Sequence, residues 1–326
     1  MEYEGKTVLE VGERSALAQT VRHFKSVAST IVGSGDDSAV IELASNQFVV
    51  TTDSMVEGRD FRLDLSSGFD IGYKAAATNL SDVAAMGAQP VSLVVALLVT
   101  KATKLSWLED FARGLQAALD ELAPSAAVVG GDLALADQIV VAVTAHGDLQ
   151  NKKPILRSGA KPGDVLAVAG TLGKAAAGLS LLLEEDESLS ASYPELVEVQ
   201  RRPKPPISLA VGCSATAMLD ISDSLALDAN RLAEASNVSL RISSSDLQGY
   251  VAVLEQAAQS ISARTGKSLS PMDWVLYGGE DHGFLACFPA DAVPIGYRKI
   301  GSVESGSGVC LDNEILQPRG WDSVSS

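Results

Sequence analysis

The chain has 326 residues, 46% hydrophobic and 20% charged, enough apolar material for the cores of two domains and too much for a disordered chain. With 25 Lys and Arg against 41 Asp and Glu, its net charge is −16. That balance excludes a nucleic-acid binder, which needs a basic face to release counterions, and a polybasic membrane-surface protein.

The first residues, Met1-Glu-Tyr-Glu-Gly5, are acidic and lack the apolar stretch of a secretory signal. The longest apolar run, Val91 to Val99, falls far short of the roughly 18 residues that span a bilayer. Cys213, Cys287 and Cys310 show no C-x-x-C spacing, so neither a disulfide scaffold nor a zinc knuckle is supported. The expectation is a cytoplasmic protein with reduced thiols.

Short Val- and Ile-rich runs predict strands at 39–43 and 48–52. Residues 70–86 are Ala-rich and predict a helix, with Lys74, Thr78 and Asp82 spaced i, i+4, i+8 on one face. A strand follows at 91–100. Ser106-Trp-Leu-Glu109 has the S-x-x-E form of a capping box, and Trp107, Leu108, Phe111, Leu115, Ala118 and Leu122 continue it as an apolar stripe at helical spacing. Strands are predicted again at 126–129 and 139–144. The polar stretch 147–154 marks a composition shift, which sets the domain boundary near 148 and gives domains 1–148 and 149–326. In the second half, 165–168 and 285–288 predict strands, Glu184–Glu187 ends a helix as a solvated run, and the three prolines of 201–206 predict a linker.

One pattern recurs: an apolar run, small or polar residues, then an acid. It appears as VVTTD (49–53), VVGGD (128–132), AMLD (217–220) and VLYGGE (275–280). Each is expected to put a carboxylate at a strand end, where loops gather and sites are built. Singly, each acid could be a turn or a cap. Together with Asp36-Asp37, Asp82 and Asp223 they would repel and titrate high unless a cation neutralises them. Mg²⁺ suits such a set, because it takes hard oxygens, keeps waters and is completed by substrate phosphates. The three histidines, His23, His146 and His282, are scattered and show no zinc spacing. Familiar nucleotide motifs fail: the P-loop-like stretch around Gly173-Lys174 has Val168 and Ala175 where Gly and Ser or Thr are required. Neither a kinase H-R-D or D-F-G set nor a G-x-S-x-G elbow occurs.

An ordered set of segments then resembles the thiamine-monophosphate kinase family. They are GDDSAVI (35–41), TTDSMVEGRDF (51–61), YKAAATNLSDVAAMGAQP (73–90), VVGGD (128–132), RSGAKPGD (157–164), DISDSLALD (220–228), YGGED (277–281) and RGWD (319–322). The resemblance covers nearly the whole chain and reaches a wider superfamily that includes aminoimidazole ribonucleotide synthetase. It implies an α/β (α+β) fold of two domains with mixed sheets and flanking helices. The N-terminal domain would bind ATP and Mg²⁺ and pair in a homodimer.

The implied reaction passes the γ-phosphoryl of ATP to thiamine monophosphate, giving thiamine diphosphate and ADP. By matching motif, several Mg²⁺ ions would be held by Asp37, Thr51, Thr52, Asp53, Asp82, Asp132, Asp220 and Asp223. ATP would be contacted by Gly131, Asp132, Arg157 and Ser222, and the substrate by Asp60, Glu280 and Trp321. Trp321 would offer its ring to the cationic thiazolium, or else pack the C-terminus.

Three positions depart from the family pattern: G-x-H-F reads GRDF (58–61), G-G-E-D-Y-E-L reads GGEDHGFL (278–285), and D-G-L reads DSL (223–225). The metal set is intact, whereas the first two departures fall where the family recognises its substrate. Two other readings stay open: another ATP-dependent synthetase of the superfamily that works through a phosphorylated intermediate, or a non-catalytic relative that binds Mg²⁺ and nucleotide.

Overall fold

The computed structural model describes residues 5–34 and 38–321. Contacts divide the chain into two units, Met1–Ala84 with Ala88–Lys152, and Ala85–Gly87 with Lys153–Ser326. Both mix strands and helices, an α/β architecture.

Unit 1 carries α1 (Val8–Val11), α2 (Glu13–Val21), β1 (Thr30–Val32), β2 (Val40–Ile41), β3 (Phe48–Val56), α3 (Gly68–Ala85), β4 (Gln89–Val99), α4 (Leu105–Leu122), β5 (Ala127–Leu135) and β6 (Val140–Asp148). Its main sheet has the order β3-β6-β4-β5, with β4 and β5 parallel and the other pairs antiparallel. Alternation sets its two faces. Met55, Val141, Val143, Val95 and Leu97 are buried on one, while Val50 and Thr52 are exposed on the other. Helices α3 and α4 cross closely through two glycines. A Cβ on Gly72 would stand 2.0 Å from the Phe111 carbonyl, and one on Gly114 would stand 2.0 Å from that of Phe69.

The helix predicted after residue 105 is present, but Ser106 does not cap it. The N-cap is Lys104, which makes no side-chain cap bond. Glu109 pairs with Arg22 at 2.6 Å instead. A capping box does form at Thr7–Glu10, where Glu10 Oε2 accepts from the Thr7 amide at 2.7 Å. The predicted strand at 48–52 runs on to Val56, because Ser54, Met55 and Val56 continue the alternation beyond Asp53.

Unit 2 carries β7 (Val165–Ala169), α5 (Lys174–Leu183), α6 (Glu187–Ala191), α7 (Pro194–Arg201), α8 (Ile207–Ala210), β8 (Ala217–Ile221), α9 (Leu225–Ser236), β9 (Ser239–Ile242), α10 (Ser244–Val251), α11 (Glu255–Thr265), α12 (Pro271–Tyr277), β10 (Gly283–Phe288), β11 (Arg298–Glu304), β12 (Gly308–Leu311) and β13 (Glu314–Ile315). Its seven-stranded sheet has the order β13-β12-β9-β11-β7-β10-β8 and is antiparallel except for β12 with β9. All six residues of β10 are buried, so both faces of the sheet are covered there. Residues 275–277 are the last turn of α12 and not a strand. Pro271 at its first turn favours the helix start, and Gly278 follows its end.

Candidate active site

In unit 1 the acids sit within strands, not at their ends. Side chains alternate along β3, so Thr51, Asp53 and Met55 share the helix-covered face and Thr52 turns to the other. Helix α3 packs on the covered face, and Thr51 Oγ1 donates to Asp82 Oδ2 at 3.1 Å. Asp53 stands two residues along the same face, and its Oδ1 accepts from the Ser54 amide at 2.9 Å. Thr51 and Asp82 therefore meet directly, and Asp53 lies on the strand face that carries Thr51. The hydroxyl of Thr52 donates to the Val143 carbonyl at 3.0 Å and lies outside that face.

Asp132 is placed elsewhere. It lies on β5, at the opposite sheet edge from β3 with two strands between, in the row Ser54–Ala142–Ala96–Asp132. That row faces away from the helices, and Asp132 is exposed. Gly130, Gly131 and Asp132 border a cavity of about 420 Å³ walled by α2, α4, β4 and β5, with Ser34 and Ser38 at its rim. The volume is that of a small-molecule site. Asp37 lies outside the described residues.

Gly131 has a structural reason of its own: a Cβ there would stand 2.2 Å from the Val95 carbonyl of the paired strand. Gly131→Ala is expected to push β5 off β4 and lower stability by about 1–3 kcal/mol in chemical denaturation. An unchanged midpoint would contradict that cause. Asp60 is likewise tied down locally, its Oδ2 accepting from the Val56 amide at 2.7 Å and closing the turn after β3.

In unit 2 three segments meet. Strand β8 ends in Asp220-Ile221, followed by Ser222 and Asp223 at the entrance of α9. The 278–282 loop folds back along that end: the Glu280 amide donates to the Ser222 carbonyl at 2.8 Å, and the His282 amide to the Ile221 carbonyl at 3.1 Å. Only glycine fits at 279, where a Cβ would stand 2.5 Å from the Ser222 carbonyl. Glu280 and His282 take left-handed φ of 67° and 51°, strain of the kind that collects at functional sites. The C-terminal segment closes the corner, with the Trp321 amide donating to the Asp223 carbonyl at 3.0 Å and Ser224 Oγ donating to the Arg319 carbonyl at 2.6 Å. Asp220, Ser222, Asp223, Glu280 and Trp321 are thus gathered within one unit, and Trp321 keeps 39% of its surface open.

Arg157 is not part of this corner. Its carbonyl accepts from Ser236 Oγ at 2.6 Å, at the C-terminal end of α9, whereas Asp223 precedes the N-terminal end.

Three residues that sequence reasoning did not place in the site support it, together with His282, a candidate from its place beside Glu280-Asp281. Asp228 is buried and accepts from the Asp223 and Ser224 amides at 3.0 and 3.2 Å. Burial pushes its carboxyl up to about 6, although those amide bonds pull downward. Arg231 Nη1 bridges Asp223 at 2.5 Å and Asp228 at 2.6 Å. Asp281 is fully buried at the N-terminus of α5. Its Oδ1 accepts from Thr171 Oγ1 at 2.7 Å and the Lys174 amide at 3.2 Å. His282 stands against Asp220. The spacing Asp223, Asp228, Arg231 along one helix start was the available signal for the first two.

Among the described residues, no three His, Cys, Asp or Glu side chains group closely enough to cage a metal ion. The donors come as small sets of hard oxygens, two carboxylates and a hydroxyl in unit 1 and two carboxylates in unit 2. Such sets fit Mg²⁺, which is bound by one or two carboxylates plus waters and phosphates, and do not fit zinc.

Residues 35–149 match the family described as AIR synthase related protein, N-terminal domain. Over 328 residues the chain is 38% identical to a thiamine-monophosphate kinase of Mycobacterium tuberculosis, covering 98% of this chain and 94% of that one. Among solved structures it is similar to thiamine-monophosphate kinase from Stenotrophomonas maltophilia, with a TM-score of 0.77 and 31% identity over 92% of this chain and 95% of that one. It is also similar to AaThiL complexed with AMPPCP and TMP, with a TM-score of 0.74 and 28% identity over 96% and 97% of the two chains.

Proposed function

This chain belongs to the thiamine-monophosphate kinase family, and from that premise we propose that it transfers the γ-phosphoryl of ATP in line to the phosphate of thiamine monophosphate, giving thiamine diphosphate and ADP. The observation that carries this reading is the corner of unit 2 where Asp220, Ser222, Asp223, Glu280 and Trp321 are tied together by backbone hydrogen bonds. Its relative AaThiL binds AMPPCP and TMP together.

The chemistry asks little of a base. The acceptor is a phosphate oxygen, already largely ionised at pH 7 because its second pKa is about 6. What remains is to align two anionic reactants and offset their repulsion on a chain of charge −16. Thr51, Asp53 and Asp82 in unit 1, and Asp220 and Asp223 in unit 2, are the groups that would hold Mg²⁺. Bound there, it would neutralise phosphate charge. The unit 1 cavity beside Gly130–Asp132 is apolar at its walls and suits a flat apolar group. Within unit 2, Ser222 is the proposed phosphate contact. Glu280 and the open face of Trp321 are the proposed seat of the cationic thiazolium, a contact worth on the order of 0.5–2 kcal/mol.

A homodimer belongs to the same proposal. The face of the unit 1 sheet away from the helices exposes Val50, and neighbouring Phe48 is also open, at 57% and 56%. Uncovered apolar surface of this kind is characteristic of an interface. No described helix is long and apolar enough to cross a membrane. The three cysteines are free thiols, in keeping with the proposed cytoplasmic location.

The test is a product assay with ATP, Mg²⁺ and thiamine monophosphate. The expected result is thiamine diphosphate and ADP in equal amounts. Free phosphate without thiamine diphosphate would overturn it and favour a synthetase working through a phosphorylated intermediate. ATP and Mg²⁺ together are also expected to raise the melting temperature more than either alone. Saturation at a hundred times Kd corresponds to about 2.7 kcal/mol. Equal shifts for ATP with and without Mg²⁺ would count against metal-bridged binding.

A further inference from the structure

His282 and Asp220 face each other in the interior of unit 2. Both side chains are 5% exposed, and Nδ1 of the imidazole lies 3.3 Å from Oδ2 of the carboxylate. Asp220 belongs to β8 and is paired with Phe284 of β10, so its backbone is fixed by the sheet. The ring is fixed from the other side: the His282 amide is bonded to the Ile221 carbonyl, and its φ of 51° turns the chain back onto the strand. An ionised carboxylate can only accept, so Nδ1 carries the proton in this bond.

We propose that His282 is a positioning residue for the phosphoryl transfer, holding one oxygen of Asp220 so that the other is presented to a divalent cation. The inference rests on the reading that Asp220 is a metal ligand. A carboxylate free to rotate loses orientation entropy on binding a cation, whereas one already hydrogen-bonded does not. Partners of this kind are worth 10–100-fold in metal affinity. The family pattern carries Tyr at this position, so the bond from Nδ1 is a feature of this chain's own residue. A ring serving only to fill space would need no donor aimed at the acid.

The experiment compares the full-length parent with His282→Phe, which keeps a ring but loses the donor, His282→Asn, which keeps an N–H donor and tolerates a left-handed backbone, and Asp220→Asn. Two quantities are read with AMPPCP present or during turnover: Mn²⁺ affinity from the EPR signal of free Mn²⁺, and the Mg²⁺ concentration giving half-maximal rate. His282→Phe is expected to weaken Mn²⁺ binding by about 10–100-fold and raise the Mg²⁺ requirement by the same factor, while kcat at saturating Mg²⁺ falls far less. His282→Asn is expected to restore most of the affinity. Parental affinity in His282→Phe, with Asp220→Asn defective, would overturn the positioning role alone. Parental affinity in Asp220→Asn would overturn the ligand reading beneath it and the proposal together. Should the Phe variant not fold, His282→Ala makes the same comparison, since it lacks the donor without the bulk.

Discussion

Asp53→Ala is expected to lower kcat for thiamine diphosphate formation by about a thousandfold, the scale of losing one group that stabilises developing charge. Its melting temperature should stay within about 3 °C of the parent. The asymmetry follows from where Asp53 sits. It is half-buried in the middle of β3, its backbone is held by the ladder with Val143 of β6, and it shares a face with Thr51 and Asp82. A half-buried carboxylate is not a core group, so its removal leaves the apolar packing of the unit intact. Alanine in a strand costs only a few tenths to about 1 kcal/mol in propensity. Steady-state kinetics over a Mg²⁺ series, with thermal unfolding of the same samples, measures both. A kcat within threefold of the parent would remove Asp53 from the metal set.

Asp281→Asn is expected to gain stability over the parent as pH rises. Burial pushes the Asp281 carboxyl up to about 6 from 3.8, against the pull of the Thr171 hydroxyl and the amides at the start of α5. The folded chain therefore holds this proton more tightly than the unfolded chain. The contribution is fully present below the unfolded value of 3.8 and is lost as pH rises through about 6. The complete loss is about 3 kcal/mol, of which about 1.4 kcal/mol falls between pH 5 and pH 8. Oδ2 of Asp281 has no hydrogen-bond partner, so the charge gains nothing there to offset its burial. The Asn side chain keeps the acceptor for Thr171 and Lys174 but does not titrate. In urea unfolding, the difference in stability between variant and parent should move in the variant's favour by about 1.4 kcal/mol from pH 5 to pH 8. A difference independent of pH would show that this carboxylate is not the titrating group.

Much of this site was legible because its chemistry is carried by short segments. DISDSLALD and YGGED each carry site residues in the family pattern, and the 278–282 loop lies along the end of β8. Periodicity found the strands and the long helices, since alternation and the 3.6-residue repeat are local properties. It failed where a tertiary contact decides. Glu109 suits a capping box by spacing, yet it is drawn to Arg22, 87 residues away in sequence. Val275-Leu-Tyr277 is apolar enough for a strand, but the proline at 271 had already begun a helix. Faces of a sheet were also beyond reach. Asp53 and Asp132 follow similar apolar runs, yet registry puts them at opposite edges and on opposite faces. The buried support Asp281 carries no signature beyond its acidity, because what distinguishes it is the water it lacks.

The most direct measurement is a crystal structure of the protein with AMPPCP, thiamine monophosphate and Mn²⁺, its metal positions read from anomalous scattering. Manganese peaks bonded to oxygens of Asp53 and Asp82 and of Asp220 and Asp223, each also touching a phosphate oxygen, are the predicted result. Phosphates bound with no manganese on those carboxylates would contradict it.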